Sequence, residues 1–113
     1  MSDCIFCKIA NKEIPSKPVY EDEYVYAFYD IDPKAPVHFL VIPKKHIVSI
    51  AEVTEENSEI VAKMAEAISK ITKQLGISDG FRVVANTGES AGQTVFHLHF
   101  HVLAGRALAW PPG

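Results

Sequence analysis

The chain has 113 residues, 48% of them hydrophobic and 22% charged, with 14 acidic against 11 basic side chains and a formal net charge of −3. This length and composition fit one globular domain with its own core, and the charge argues against the basic face that a nucleic-acid backbone requires. No apolar run approaches the roughly 20 residues of a bilayer span. Residues 1–13, MSDCIFCKIANKE, carry an acid near the start and no apolar signal core. The expectation is a soluble cytoplasmic protein, one domain over residues 1–113, without nucleic-acid or membrane partners.

In chain order, Cys4 and Cys7 form a C-x-x-C pair. That spacing suits a redox couple or half of a metal site, and it also occurs in small buried thiols with no role. The apolar side of Ile5 to Lys12 predicts a short helix. Val19 to Glu21 and Tyr24 to Asp30 read as a hairpin turning at Asp22-Glu23, with period-2 alternation in the second strand. Two prolines make Asp30 to Pro36 a loop. His38 to Pro43 (HFLVIP) is a continuous β-prone run, read as a central strand.

A long helix is predicted from Thr54 to Leu75, with Thr54 as its cap and Glu55, Glu56 and Glu59 at its positive end. Ile60, Met64, Ile68, Ile71 and Leu75 make one apolar stripe, and Gly76 supplies the stop. Phe81 to Thr87 and Val95 to Leu103 read as two further strands around the loop Gly88 to Gly92. Strands, one long helix and strands again predict an α+β fold with a largely antiparallel sheet of about five strands.

The last strand carries the chemistry. In Val95 to Leu103 the residues alternate, so Phe96, Leu98, Phe100 and Val102 share one face and His97, His99 and His101 the other, about 7 Å apart along the strand. Three imidazoles on one sheet face suit a metal or an anionic substrate. They cannot easily reach one ion together from one extended strand, which predicts different roles. A neutral imidazole is a competent nucleophile toward phosphorus near neutral pH. The preceding loop, Asn86 to Thr94, offers glycine backbone and the side chains of Gln93 and Thr94 as donors to a phosphate.

The segment Gly92 to His101, GQTVFHLHFH, resembles the signature of the histidine triad (HIT) family. CIFCKIANKEIP, FYDIDPKAPVHFLVIPKKHI, NTGESAGQ and WPPG are similar to its Hint branch, the purine nucleoside phosphoramidases. The resemblance implies a HIT-like fold whose sheet continues across a homodimer. It implies a hydrolase that cleaves the P–N bond of AMP- or GMP-amine phosphoramidates through a covalent nucleotidyl-histidine on His99. His101 would hydrogen-bond the phosphate and assist the leaving group, and His38 matches the branch's additional active-site histidine. Gly92, Gln93 and Thr94 would hold phosphoryl oxygens and Asp30 the ribose hydroxyls. Phe6, Ile9, Ile14 and Ile31 would wall the purine, and Asn86 would lie beside phosphate and ribose.

Many Hint-branch members lack the cysteine pair. In some similar bacterial proteins, and in the related uridylyltransferases, such a pair joins two histidines around structural zinc, which here implies Cys4, Cys7, His46 and His97. The rival reading leaves His46 at the surface and gives His97 only an orienting role. The apolar tail, with Leu108, Trp110, Pro111 and Pro112, would reach toward the partner subunit's active site, where Trp110 shapes the leaving-group pocket. Two other activities stay open at this point: a dinucleoside polyphosphate hydrolase, which the WPPG tail disfavours, and a non-catalytic nucleotide-binding or scaffold protein.

Overall fold

A computed structural model describes residues 3–113. Two helices, α1 (Ile5–Ala10) and α2 (Ser58–Gln74), accompany five strands: β1 (Pro18–Glu21), β2 (Val25–Tyr29), β3 (Val37–Pro43), β4 (Phe81–Val84) and β5 (Phe100–Ala104). The strands form one sheet in the order β1-β2-β3-β5-β4, and every pairing is antiparallel. Among the described residues no helix is long and apolar enough to cross a membrane.

Both faces of the sheet are covered. Alternation in β2 sends Val25 and Ala27 to one side, where they join Phe39 and Val41 of β3, Phe100 and Val102 of β5, and Met64, Ala67, Ile68 and Ile71 of α2. Tyr26 and Phe28 point the other way and meet Leu40, Ile42 and the α1 residues Phe6, Ile9 and Ala10. Across β3 and β5 Leu40 pairs with His101, so His101 shares the α1 face. The short helix thus roofs the side of the sheet that carries the imidazoles.

Local chemistry sets the element ends. The Asp22 carboxylate accepts the Tyr24 and Val25 N–H groups at 2.8 and 2.9 Å, making the hairpin turn. Helix α1 ends short of Lys12 because that residue adopts φ +67°, a left-handed conformation unusual for a side-chain-bearing residue. Its ammonium then reaches Glu21, which also pairs with Lys44. Helix α2 begins three residues later than the Thr54 cap implies. Asn57 holds the N-cap position, while its side chain accepts the Thr54 N–H at 2.8 Å and Thr54 Oγ1 accepts from Glu56. Thr54 therefore heads the preceding turn. Met64, Ile68 and Ile71 are buried as the stripe predicts, whereas Leu75 at the C-cap is 38% exposed.

The last strand is shorter than Val95 to Leu103. Its ladder begins at Phe100, and residues 95–99 leave the sheet. Leu98 N–H bonds the Ile47 carbonyl, and the His97 ring bonds the Pro43 carbonyl, so this segment is held by the loop after β3. The facing pattern survives for Leu98, Phe100 and Val102, which enter the α2 core. Phe96 does not follow them and is 44% exposed. Strand β4 stops at Val84, opposite His101, because its partner offers only one further residue before leaving the sheet.

Candidate active site and metal cluster

His99 and His38 each have one nitrogen engaged by a main-chain atom, which assigns their tautomers and, through His38, that of His101. His99 Nδ1 lies 2.7 Å from the His97 carbonyl, which can only accept. Nδ1 therefore carries the proton and Nε2 keeps its lone pair. The Lys34 N–H donates to His38 Nδ1 at 3.0 Å, so the His38 proton sits on Nε2 and is directed at His101 Nδ1, also 3.0 Å away. His101 is left with its proton on Nε2. The rings of His99 and His101 are 5.0 Å apart by centroid, and those of His101 and His38 5.2 Å. A neutral imidazole with a free Nε2 lone pair thus stands beside a neutral N–H donor.

Burial favours the uncharged form of these rings. It holds His99 below the usual imidazole range against the opposing effect of the His97 carbonyl. It lowers His38 as well, although Asp30 Oδ2 at 3.4 Å pulls the other way. His101 is pushed down to about 4, first by burial and then by His99 and His38 beside it. Phe6 supplies much of the roof, its ring edge-on to His99 at 5.0 Å and to Phe28 at 5.6 Å.

Two open clefts share Asp30 and His38. One, of about 750 Å³, is bordered by Pro15, Lys17, Tyr29, Ile31 and Pro36. The other, of about 540 Å³, is bordered by Asn86, Thr94, His101 and Leu103. Asp30 Oδ1 accepts the Asp32 N–H, leaving the carboxylate further acceptor capacity. Ile31 is 99% exposed at the cleft edge. Phe6 and Ile9 are buried in α1, with Ile14 packed partly against them. Gly92 has φ +94° and ends the short turn Glu89–Ala91; Asn86 Nδ2 lies 3.9 Å from where a Cβ at Gly92 would stand.

Gln93 faces inward. It is buried, its amide nitrogen donates to the Val48 and Val95 carbonyls at 2.8 and 3.1 Å, and its oxygen accepts the Gly88 N–H at 2.9 Å. Both of its donors are thus used within the protein, and it fixes the glycine loop. Trp110 stands apart from both clefts, 80% exposed, with the Arg82 guanidinium 6.0 Å from its ring centre.

A second cluster lies at the N-terminal end of α1. The donor atoms of Cys4, Cys7, His46 and His97 all lie within 4.8 Å of one another. Cys4 Sγ is 3.3 Å from His97 Nδ1, Cys7 Sγ 3.4 Å from His46 Nδ1, and the two Nδ1 atoms are 3.2 Å apart. Donors about 2.0–2.3 Å from a shared tetrahedral centre would stand roughly 3.3–3.8 Å from one another. His97 is fully buried and donates from Nε2 to the Pro43 carbonyl at 2.8 Å, which leaves a bare Nδ1 facing the thiols. Burial and the neighbouring Cys4 push the Cys7 thiol up, an effect that a cation between the sulfurs would reverse. Four soft donors, one pinned by a carbonyl behind it, fit zinc.

The HIT domain family model matches residues 11–108. The chain belongs to the HIT family. It is similar to an uncharacterised HIT-like protein of Synechococcus elongatus, 50% identical over 98% of this chain and 97% of that one. The 14 kDa zinc-binding protein of Zea mays is 48% identical over 99% of this chain and 89% of its own length. A HIT family hydrolase from Legionella pneumophila, known by crystal structure, superposes with a TM-score of 0.95 at 46% identity, covering 98% of this chain and all of that one. With the HIT fold come the α+β sheet and its two helices, as the sequence implies.

Three groups that shape the site have no side-chain signature: the Lys34 N–H, the Pro43 carbonyl and the His97 carbonyl. Only the prolines at positions 33, 36 and 43 hint that these stretches leave ordinary ladders. The expected residues separate into two adjoining constellations, Asp30-His38-His101 with His99, and Cys4-Cys7-His46-His97.

Proposed function

We propose that this HIT protein is a homodimeric purine nucleotide-binding hydrolase that cleaves the P–N bond of nucleoside 5′-phosphoramidates. The observation that carries the reading is the assigned tautomer of His99. With Nδ1–H bound to the His97 carbonyl, Nε2 offers a lone pair in a site that keeps it neutral. That lone pair forms a bond to the α-phosphorus as the P–N bond breaks. The amine departs with the P–N electron pair and one proton, taken from solvent through the His101 ring, and hydrolysis of the nucleotidyl-histidine returns a proton as it releases the monophosphate. His38 acts behind His101.

Asp30 would accept the ribose hydroxyls. The exposed Ile31, with Ile14 and the α1 residues Phe6 and Ile9 behind it, would wall the purine. Asn86, Gly92 and Thr94 would meet phosphoryl oxygens, with Gln93 supporting the loop from within. Zinc at Cys4, Cys7, His46 and His97 would be structural. Reduced thiols of this kind suit a cytoplasmic setting. The homodimer reading rests on the edge strand β4, where Val83 is exposed on one face and Trp110 lies over Arg82 on the other; Trp110 would enter the partner's leaving-group pocket.

The test is turnover of adenosine 5′-phosphoramidate by the wild type and by His99→Ala, with mass spectrometry of acid-trapped protein. AMP release with an adenylyl adduct on His99, lost in the variant, is the expected result. Tight AMP binding with no turnover would reduce the protein to a nucleotide-binding module, and turnover of dinucleoside polyphosphates alone would move the reaction to a P–O bond.

A further inference from the structure

The tautomer of His101 depends on one main-chain N–H in an irregular loop. A backbone N–H cannot accept, so while Lys34 N–H points at His38 Nδ1, His38 must donate from Nε2, and His101 must accept at Nδ1 and hold its own proton on Nε2. Lys34 lies in the segment between β2 and β3, outside any ladder. Among the described residues the Lys34 ammonium pairs only with Asp32, both side chains mostly exposed, and such a pair holds little.

Two contacts from the far end of β5 hold this loop. Arg106 Nη2 donates to the Lys34 carbonyl at 2.9 Å, across 72 positions of sequence, while Nη1 is occupied by the Ala107 carbonyl. Beside it Gly105, at φ +96°, lies so near Pro36 that a Cβ there would approach the proline ring at 2.8 Å. The chain leaving the sheet is therefore latched onto the one residue whose N–H sets the His38 ring.

We propose that Arg106 is a positioning residue for the candidate active site, acting through the main chain of Lys34 on His38 and thereby fixing His101 as the Nε2–H donor. Arg106 itself touches neither histidine. This rests on the reading of His101 as the group that handles the leaving-group proton, but the arrangement of protons is testable without that reading.

The experiment records two-bond ¹H–¹⁵N spectra of the histidine rings in the wild type, Arg106→Met and Arg106→Lys, all as full chains with zinc supplied. Methionine keeps the aliphatic stem and removes the donors; lysine returns one. In the wild type both His38 and His101 are expected to show unprotonated Nδ1 and protonated Nε2. In Arg106→Met both rings shift toward mixed tautomers, Arg106→Lys restores the wild-type pattern in part, and kcat for the phosphoramidate falls roughly three- to tenfold at unchanged KM. Wild-type ring shifts in Arg106→Met would overturn the proposal, as would an equal loss in both variants. Should the wild type turn over no phosphoramidate, the hydrolase reading fails, while the ring spectra still decide the role of Arg106.

Discussion

His97 donates from Nε2 to the carbonyl of Pro43 at 2.8 Å, and this bond turns the opposite ring nitrogen onto Cys4 at 3.3 Å. The same residue's carbonyl accepts the His99 Nδ1–H. One residue therefore joins the Cys/His cluster to the candidate nucleophile, through its side chain on one side and its main chain on the other.

Loss of a cluster ligand should cost both metal and stability. Cys7→Ser is expected to remove one equivalent of zinc and to lower stability by about 2 kcal/mol or more, near 10 °C in melting temperature for a chain of this size. Elemental analysis with a thermal melt checks it. A chelator should bring the wild type down to the level of the variant. Unchanged metal content together with an unchanged melt would exclude a structural metal here.

Burial of His101 makes stability depend on pH. Folded, the ring takes a proton only near pH 4, whereas in the unfolded chain it does so near 6.5. Between those values the unfolded state binds more protons, so stability falls as the pH drops from about 6.5 to about 4 and levels off outside that window as far as this group is concerned. His38 is lowered in the same direction. Urea midpoints from pH 4 to 7 should slope less steeply in His101→Gln than in the wild type. Parallel slopes would show that the ring titrates alike folded and unfolded.

The parts of this fold that were legible in sequence rest on repeating side-chain patterns. Met64, Ile68 and Ile71 disclose the buried stripe of α2, and Asp22 discloses its turn. The alternation around the histidines gives the correct facing of Leu98, Phe100 and Val102. It does not give the end of the ladder, because the pull of His97 toward Pro43 and the thiols is tertiary and overrides strand propensity. Likewise Thr54 and Asn57 are both good caps, and only the mutual bonds of the folded turn decide between them. The type of Gln93 suggests a phosphate donor; its direction could not be read, since its acceptors are the Val48 and Val95 carbonyls.

That inward direction makes Gln93→Glu informative. A carboxylate there would face two carbonyl oxygens in a buried site and lose both donations, at a cost of about 3 kcal/mol. A lowered melt, with poorer AMP affinity only as a consequence, is the expected result, and Gln93→Asn, which retains the amide but shortens its reach, should fall between. An unchanged melt with strongly weakened AMP binding would instead mean that Gln93 turns outward to the ligand.

The tail offers the last test. Leu108 gives its carbonyl to Arg82 at 3.2 Å, and Trp110 lies over the same guanidinium with most of its surface exposed. Neither residue borders the clefts of its own chain. Truncation after Arg106 retains the side chain that reaches Lys34, while it removes these two residues and the Ala107 carbonyl that Arg106 also holds. If Trp110 shapes the leaving-group side of a partner's site, the ratio of kcat/KM between a bulky aromatic amine and ammonia as leaving groups should change by roughly tenfold, with AMP affinity altered less than about twofold. Sedimentation of the truncated chain separates this from simple loss of a dimer. Equal losses for both amines, at unchanged oligomeric state, would remove the tail from the specificity of the reaction.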